Sequence, residues 1–136
     1  GYAVGAPDLI RSFDKIRNHF GMNRLSQIGA LAALQDHDWL TQTRENVARA
    51  RDRITGIAQE NGLGALPSAT NFVAVDCGVD GDFARCVLDG LVARGVFVRM
   101  PFVAPQNRCI RISCGPEAEL DRLAAALPEA LKDARR

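Results

Sequence analysis

Apolar residues change their spacing twice along the chain, and each change marks a different kind of element. Leu9, Ile10, Phe13 and Ile16 recur at near-helical intervals behind Pro7 and Asp8. That start suits a helix, because the N–H that proline lacks has no partner in a first turn. The short apolar run before them, residues 1–5, reads as the end of a strand. Asn18-His19-Phe20-Gly21-Met22 breaks the period and predicts a loop. Asn23 then offers a side-chain oxygen to cap a second helix through Leu25, Ile28, Leu31, Ala32 and Leu34, ending near Asp36. This helix is apolar and alanine-rich, so it is expected to pack tightly on a partner surface. A third, longer helix is predicted from about residue 38 to 61, with Gly62 as a left-handed C-cap. Its apolar stripe (Trp39, Leu40, Val47, Ala50, Ile54, Ile57) is sparse and the rest is strongly charged. Such a helix bridges two bodies or lies along a surface.

After Gly62 the period shortens. Residues 63–70 are loop-like, with Gly64 and Pro67, and 71–76 form a run in which both faces are apolar enough to be covered. Asp80 caps a helix predicted over 81–94 and ended by Gly95. Val96-Phe97-Val98-Arg99 reads as a second strand, 101–107 as a loop, and 109–113 as a third strand closed by Gly115. Pro116 opens the last helix, with Glu117 and Glu119 in its first turn, where the helix dipole favours acids. Pro128 is expected to kink or restart it. Residues 1–62 are thus mostly helical, and residues 63–136 form a small α+β domain of order β-α-β-β-α, a small sheet with helices on one face. There is no internal repeat.

Composition narrows the function classes. The chain has 136 residues, 47% of them hydrophobic, enough for one domain with an extension. Its 17 basic residues are interleaved with 16 acidic ones for a net charge of +1, which excludes the clustered basic surface of a nucleic-acid binder. No apolar run has the length to span a bilayer, and residues 1–5 are too short for a signal core. The cytoplasm is therefore the expected compartment. Cys77, Cys86, Cys109 and Cys114 form no CxxC pair, and His19 and His37 are distant in sequence, so no metal site is expected. The four thiols read as small, mostly buried hydrophobes. The apolar opening without a methionine suggests a piece of something longer.

Several stretches match one family in order. Gly1-Tyr2-Ala3-Val4-Gly5-Ala6-Pro7-Asp8-Leu9-Ile10 resembles the segment just after the Schiff-base lysine of fold-type I pyridoxal-phosphate aminotransferases. Lys15-Ile16-Arg17-Asn18-His19-Phe20, with Asn23 and Gln27, resembles the loop and helix that follow. Pro67-Ser68-Ala69-Thr70-Asn71-Phe72-Val73 resembles the strand entering the small domain. Gly95-Val96-Phe97-Val98-Arg99 and Cys109-Ile110-Arg111-Ile112-Ser113-Cys114-Gly115 resemble the last two strands. The chain is similar to the C-terminal part of such enzymes, of the histidinol-phosphate aminotransferase type. The implied fold is α/β, with residues 1–62 closing the large cofactor-binding domain and supplying a connecting helix.

The resemblance implies roles. Arg111 matches the arginine that clamps the substrate's α-carboxylate or acidic group, and a guanidinium fork suits that task through two parallel charge-assisted hydrogen bonds. The plainer alternative is a sheet-edge arginine in a surface ion pair. Arg99 either orients Arg111 or serves the strand, and Asn71 either satisfies loop backbone or touches substrate. Arg17, His19 and Asn23 match a loop that reaches the neighbouring subunit's site in family dimers, a candidate for phosphate or side-chain contacts. Tyr2 is placed near the cofactor wall. The implied cofactor is pyridoxal 5′-phosphate, the implied ligand an amino-acid or amino-alcohol-phosphate substrate, and the implied assembly a homodimer.

One part of the chemistry is missing. The cofactor is held by a lysine amine activated by its surroundings, and the chain has only Lys15, in a charged segment, and Lys132, in the charged tail. Neither has a small-residue, phosphate-binding context. The 136 residues alone are expected to be inactive, with no catalytic residue among them. Two other readings remain at this level: a pyridoxal-phosphate decarboxylase of the same fold, and a stand-alone α+β binding or dimerisation module over residues 63–134.

Overall fold

The computed structural model describes residues 2–18 and 20–136. They divide into two compact units, Gly1–Leu40 and Thr41–Arg136.

The first unit holds helices α1 (Pro7–Phe13) and α2 (Arg24–Gln35) and the start of α3 (His37–Glu60). Residues 2–6 have no regular structure, which corrects the expected strand: no neighbouring strand among the described residues supplies the ladder hydrogen bonds that a strand requires. α1 stops at Phe13, and the chain tightens into a turn in which Ile16 N–H donates to the Phe13 carbonyl at 3.1 Å. Asn23 caps α2 as its sequence predicts, its Oδ1 accepting from Ser26 N–H at 2.7 Å. Asp36 does the same for α3, accepting from Trp39 N–H at 2.9 Å. No residue of α2 is buried, so its expected tight packing is not seen: Leu25, Ile28, Leu31 and Leu34 are all exposed.

The second unit is built on the rest of α3. Ala50, Ile54, Ile57 and Ala58 are buried there. The composition changes at Gly62, but packing joins the second half of α3 to the domain that follows. α3 ends with Gly62 at φ +73°; Leu63 N–H donates back to the Ala58 carbonyl at 2.9 Å and Gly62 N–H to that of Gln59 at 3.0 Å. This paired closure satisfies the last carbonyls and needs a residue tolerant of positive φ.

The strands are β1 (Gly64–Ala65), β2 (Phe72–Asp76) and β3 (Cys109–Ser113), antiparallel in that spatial order, with Val73 opposite Ile112 and Val75 opposite Ile110. Between β2 and β3 lies α4 (Gly81–Ala93), capped by Asp80, whose Oδ1 accepts from Phe83 N–H at 2.9 Å. α5 (Glu117–Ala134) closes the chain. Val73, Val75, Ile110 and Ile112 bury one face of the sheet together with Leu91 of α4 and Leu120, Leu123 and Leu127 of α5. Gly90 lets α4 and α5 approach closely: a Cβ there would lie 3.1 Å from that of Ala130. α5 runs unbroken through Pro128, which neither ends nor restarts it, because the stripe of Leu120, Leu123, Leu127 and Leu131 continues past the proline into the core.

The sheet departs from β-α-β-β-α. Gly64–Ala65 adds an edge strand where a loop was expected, and the expected strand 96–99 is reduced to a single bridge between Arg99 and Arg111. Both ends of that segment are committed elsewhere. Val96 N–H donates to Leu91 O at 2.9 Å in the turn that ends α4, and Pro101 has no N–H to continue the ladder. The observed order of the second unit's strands and following helices is β-β-α-β-α.

Candidate anion-binding site

Alternation along the strands sends Phe72, Ala74 and Asp76 of β2, and Cys109, Arg111 and Ser113 of β3, to the face opposite the buried one. On the bridge segment, Val98 and Met100 are buried while Phe97 and Arg99 are exposed. The register sets Arg99, Arg111 and Ala74 in one row across this open face and pairs Ser113 with Phe72 in the next; Phe97 lies two residues before Arg99.

Asn71, Phe72, Phe97, Val98, Arg99, Arg111 and Ser113 line one cavity of about 350 Å³. Three residues singled out from sequence, Arg111, Arg99 and Asn71, are therefore brought together. Arg111 lies with its guanidinium carbon 4.7 Å from the centre of the Phe72 ring. This contact holds the side chain by a cation–π attraction and leaves the edges of the fork to donate. Among the described residues neither Arg99 nor Arg111 forms a carboxylate ion pair; the arginines that do are elsewhere. Two unneutralised guanidinium groups in one row attract an anion, and the planar forks favour a carboxylate or phosphate. Asn71 is anchored through its carbonyl, which accepts from Cys114 N–H at 2.9 Å.

A bidentate pair braces this face from the far end of the strands. Arg108 donates from Nε to Asp76 Oδ1 at 2.8 Å and from Nη2 to Oδ2 at 2.7 Å. Asp76 Oδ1 also accepts from Gly78 N–H at 2.8 Å. The Arg108 guanidinium hydrogen-bonded to it holds the Asp76 carboxyl below the usual range, against an opposing effect of burial. The pair fixes the start of β3 against the end of β2, and so the position of Arg111 two residues on.

The other candidates lie in the first unit. Arg17 is exposed and donates from Nε to Asp14 Oδ1. Asn23 spends its side-chain oxygen on the α2 cap, so its amide N–H groups are what it can offer a ligand. Tyr2 is 71% exposed and packs little. His19 lies outside the described residues.

Phe72 and Phe97 line the same cavity and were not singled out from the sequence, where they read as strand hydrophobes. Their signal is parity: each stands two positions from the row of Arg99, Arg111 and Ala74, with a buried valine between. Of the thiols, Cys77 and Cys109 are buried, Cys114 is partly buried and Cys86 is exposed. Burial pushes the Cys77 thiol up to about 11. Among the described residues no cluster of His, Cys, Asp and Glu is placed to hold a metal ion, and no helix is long and apolar enough to cross a membrane.

The chain is similar to known proteins over nearly its whole length. The model of the aminotransferase class I and II family matches residues 1–127. Histidinol-phosphate aminotransferase of Sinorhizobium meliloti, solved in complex with pyridoxal-5′-phosphate, is 56% identical, with a TM-score of 0.89 over 93% of this chain and 35% of that one. Histidinol-phosphate aminotransferase 1 of Nitrosococcus oceani is 35% identical over 99% of this chain and 36% of its own length. A decarboxylase from Sulfurospirillum multivorans shares the fold, with a TM-score of 0.62 at 24% identity over 89% of this chain and 36% of that one. The chain thus spans about 36% of the length of such relatives. Over that span, it belongs to the aminotransferase class I and II family.

Proposed function

We propose that these residues are the acid-binding, C-terminal portion of a pyridoxal-phosphate-dependent aminotransferase, which moves an amino group between histidinol phosphate or an aromatic amino acid and a 2-oxo acid. The observation that carries this reading is the pair of unneutralised arginines, Arg99 and Arg111, side by side in one cavity with Phe72 beneath Arg111. Arg111 receives the carboxylate or phosphate in its fork and Arg99 adds the second positive charge. Residues 1–62 complete the large cofactor-binding domain and its connecting helix, and residues 63–136 form the small domain. The whole enzyme works as a cytoplasmic homodimer, in which Arg17 and Asn23 reach the neighbouring subunit's substrate and Tyr2 stands by the cofactor.

Pyridoxal phosphate itself does not fit the side chains of this chain alone. A lysine that holds the cofactor must be sheltered so that its amine loses its proton near neutral pH. Lys132 is 63% exposed beside Glu129, and Lys15 is exposed in the turn after α1. The described residues bind and orient the acidic end of a substrate, and the reacting carbon is handled by groups outside them.

The test has two arms. Inorganic phosphate titrated into the 136-residue chain is expected to shift the Arg99 and Arg111 side-chain resonances, and Arg111→Ala is expected to abolish binding. The same chain mixed with pyridoxal phosphate is expected to show no visible band of a lysine-bound cofactor and no amino transfer. Failure to bind phosphate would remove the clamp; a cofactor band would remove the claim of inactivity. The decarboxylase reading has one supporting observation, the shared fold of the Sulfurospirillum multivorans enzyme.

A further inference from the structure

We propose that Phe97 is a specificity-determining residue that selects acids carrying a flat, apolar body; this rests on Arg99 and Arg111 acting as the anion clamp. Phe97 lies two residues before Arg99 and lines the clamp cavity together with Phe72, Arg99, Arg111 and Ser113. The two aromatic rings are not equivalent. Phe72 is partly buried and has the Arg111 guanidinium over it at 4.7 Å. Phe97 is 77% exposed, whereas Val98 beside it is buried. Its ring is thus a large apolar surface left in water at the rim of a charged cavity.

Phe97 is also a shared wall. The clamp cavity and a second one of about 540 Å³ have Phe97, Val98 and Ser113 in common. The second cavity lies where 95–98 and 112–115 part company beyond the Arg99–Arg111 bridge, and the first turns of α5 line its remaining side. Val96–Val98 makes no ladder with β3, and Phe97 borders both cavities. A ligand whose anion sits on the arginines extends its body toward the rim of the cavity, where Phe97 offers an exposed ring. Stacking or edge contact with it favours an aryl or heteroaryl body over a short aliphatic one.

Methyl phosphate and phenyl phosphate, titrated separately into the 136-residue chain, test this by calorimetry. The unmodified chain is expected to bind phenyl phosphate more tightly than methyl phosphate. Phe97→Ala should weaken phenyl phosphate by ~2- to 12-fold and leave methyl phosphate unchanged, and Phe97→Tyr should retain the preference. Far-UV circular dichroism of each variant confirms that the exposed substitution leaves the fold intact. An unchanged preference in Phe97→Ala, or no preference in the unmodified chain while methyl phosphate still binds, overturns the role of Phe97. The clamp fails in a different way: neither phosphate binds, or Arg111→Ala binds methyl phosphate as well as the unmodified chain does.

Discussion

Arg99 and Arg111 are reciprocal backbone partners: Arg99 N–H donates to the Arg111 carbonyl at 3.1 Å and Arg111 N–H to the Arg99 carbonyl at 2.6 Å. Backbone attraction thereby holds two like-charged side chains abreast. Such pairs cost a sheet about 0.2–1 kcal/mol. Arg99→Gln is therefore expected to raise the melting temperature slightly without phosphate and to lower the further rise that phosphate produces. Thermal melts with and without phosphate check both signs.

Asp76 gives the fold an acid-sensitive brace. Its carboxyl is held below the usual value in the folded chain, chiefly by the Arg108 hydrogen bonds. The unfolded chain therefore takes up the proton first as pH falls. The contribution is whole above an unfolded value of about 3.9 and is lost as pH drops through the lower folded value. At neutral pH, Asp76→Asn should destabilise by about 1–2 kcal/mol, since one charge-assisted pair is broken at a half-exposed site. The difference from the unmodified chain should shrink toward zero in strong acid. Urea titrations across pH 2–7 measure it, and a difference independent of pH would contradict the assignment.

Pro128 is exposed within α5 and supplies no N–H to the helix. An interior proline costs a helix about 3 kcal/mol relative to alanine. Pro128→Ala should stabilise the chain by roughly 1–3 kcal/mol, the lower values applying if the backbone has already relaxed around the ring. Chemical denaturation reads this directly, and a loss of stability would mean that the proline's geometry is required by the packing of Leu127 and Leu131.

Thiol accessibility should follow burial. Cys86 is exposed on α4, whereas Cys77 is buried with its thiol pushed up to about 11. Attack requires the thiolate, so an aromatic disulfide reagent at pH 8 should label Cys86 fast and Cys77 only on unfolding. Cys86→Ser should remove the fast phase. Its survival in that variant would place the reactive thiol elsewhere.

The caps and the core were legible because their causes are local. Asn23, Asp80, Gly62 and Gly95 act within a few residues of themselves, and the stripe of Ala50, Ile54 and Ile57 on α3 needs only helical spacing. The site was legible as residues and not as an arrangement. Arg111 and Arg99 drew notice through the stretches that resemble a family, but their adjacency depends on a register between positions 12 apart. Phe72 and Phe97 looked like core residues, since alternation gives two faces without saying which one is covered. The strand expected at 96–99 failed because the commitment of Val96 N–H to Leu91 and the missing N–H of Pro101 act on backbone hydrogen bonds, which side-chain periodicity does not register. The apolar stripe of α2 announced a partner surface without saying where it is, and its leucines are exposed among the described residues.

The single Arg99–Arg111 rung also bears on how the sheet meets other chains. A bare, regular edge is a template on which a foreign strand can add, and repeated addition leads toward amyloid. Here one edge is β1, only two residues long, and the other is interrupted by Arg99 at the middle residue of β3. An incoming strand finds two backbone positions on one side and a blocked midpoint flanked by positive charge on the other. The one rung that sets the two arginines abreast thus also keeps the sheet from growing.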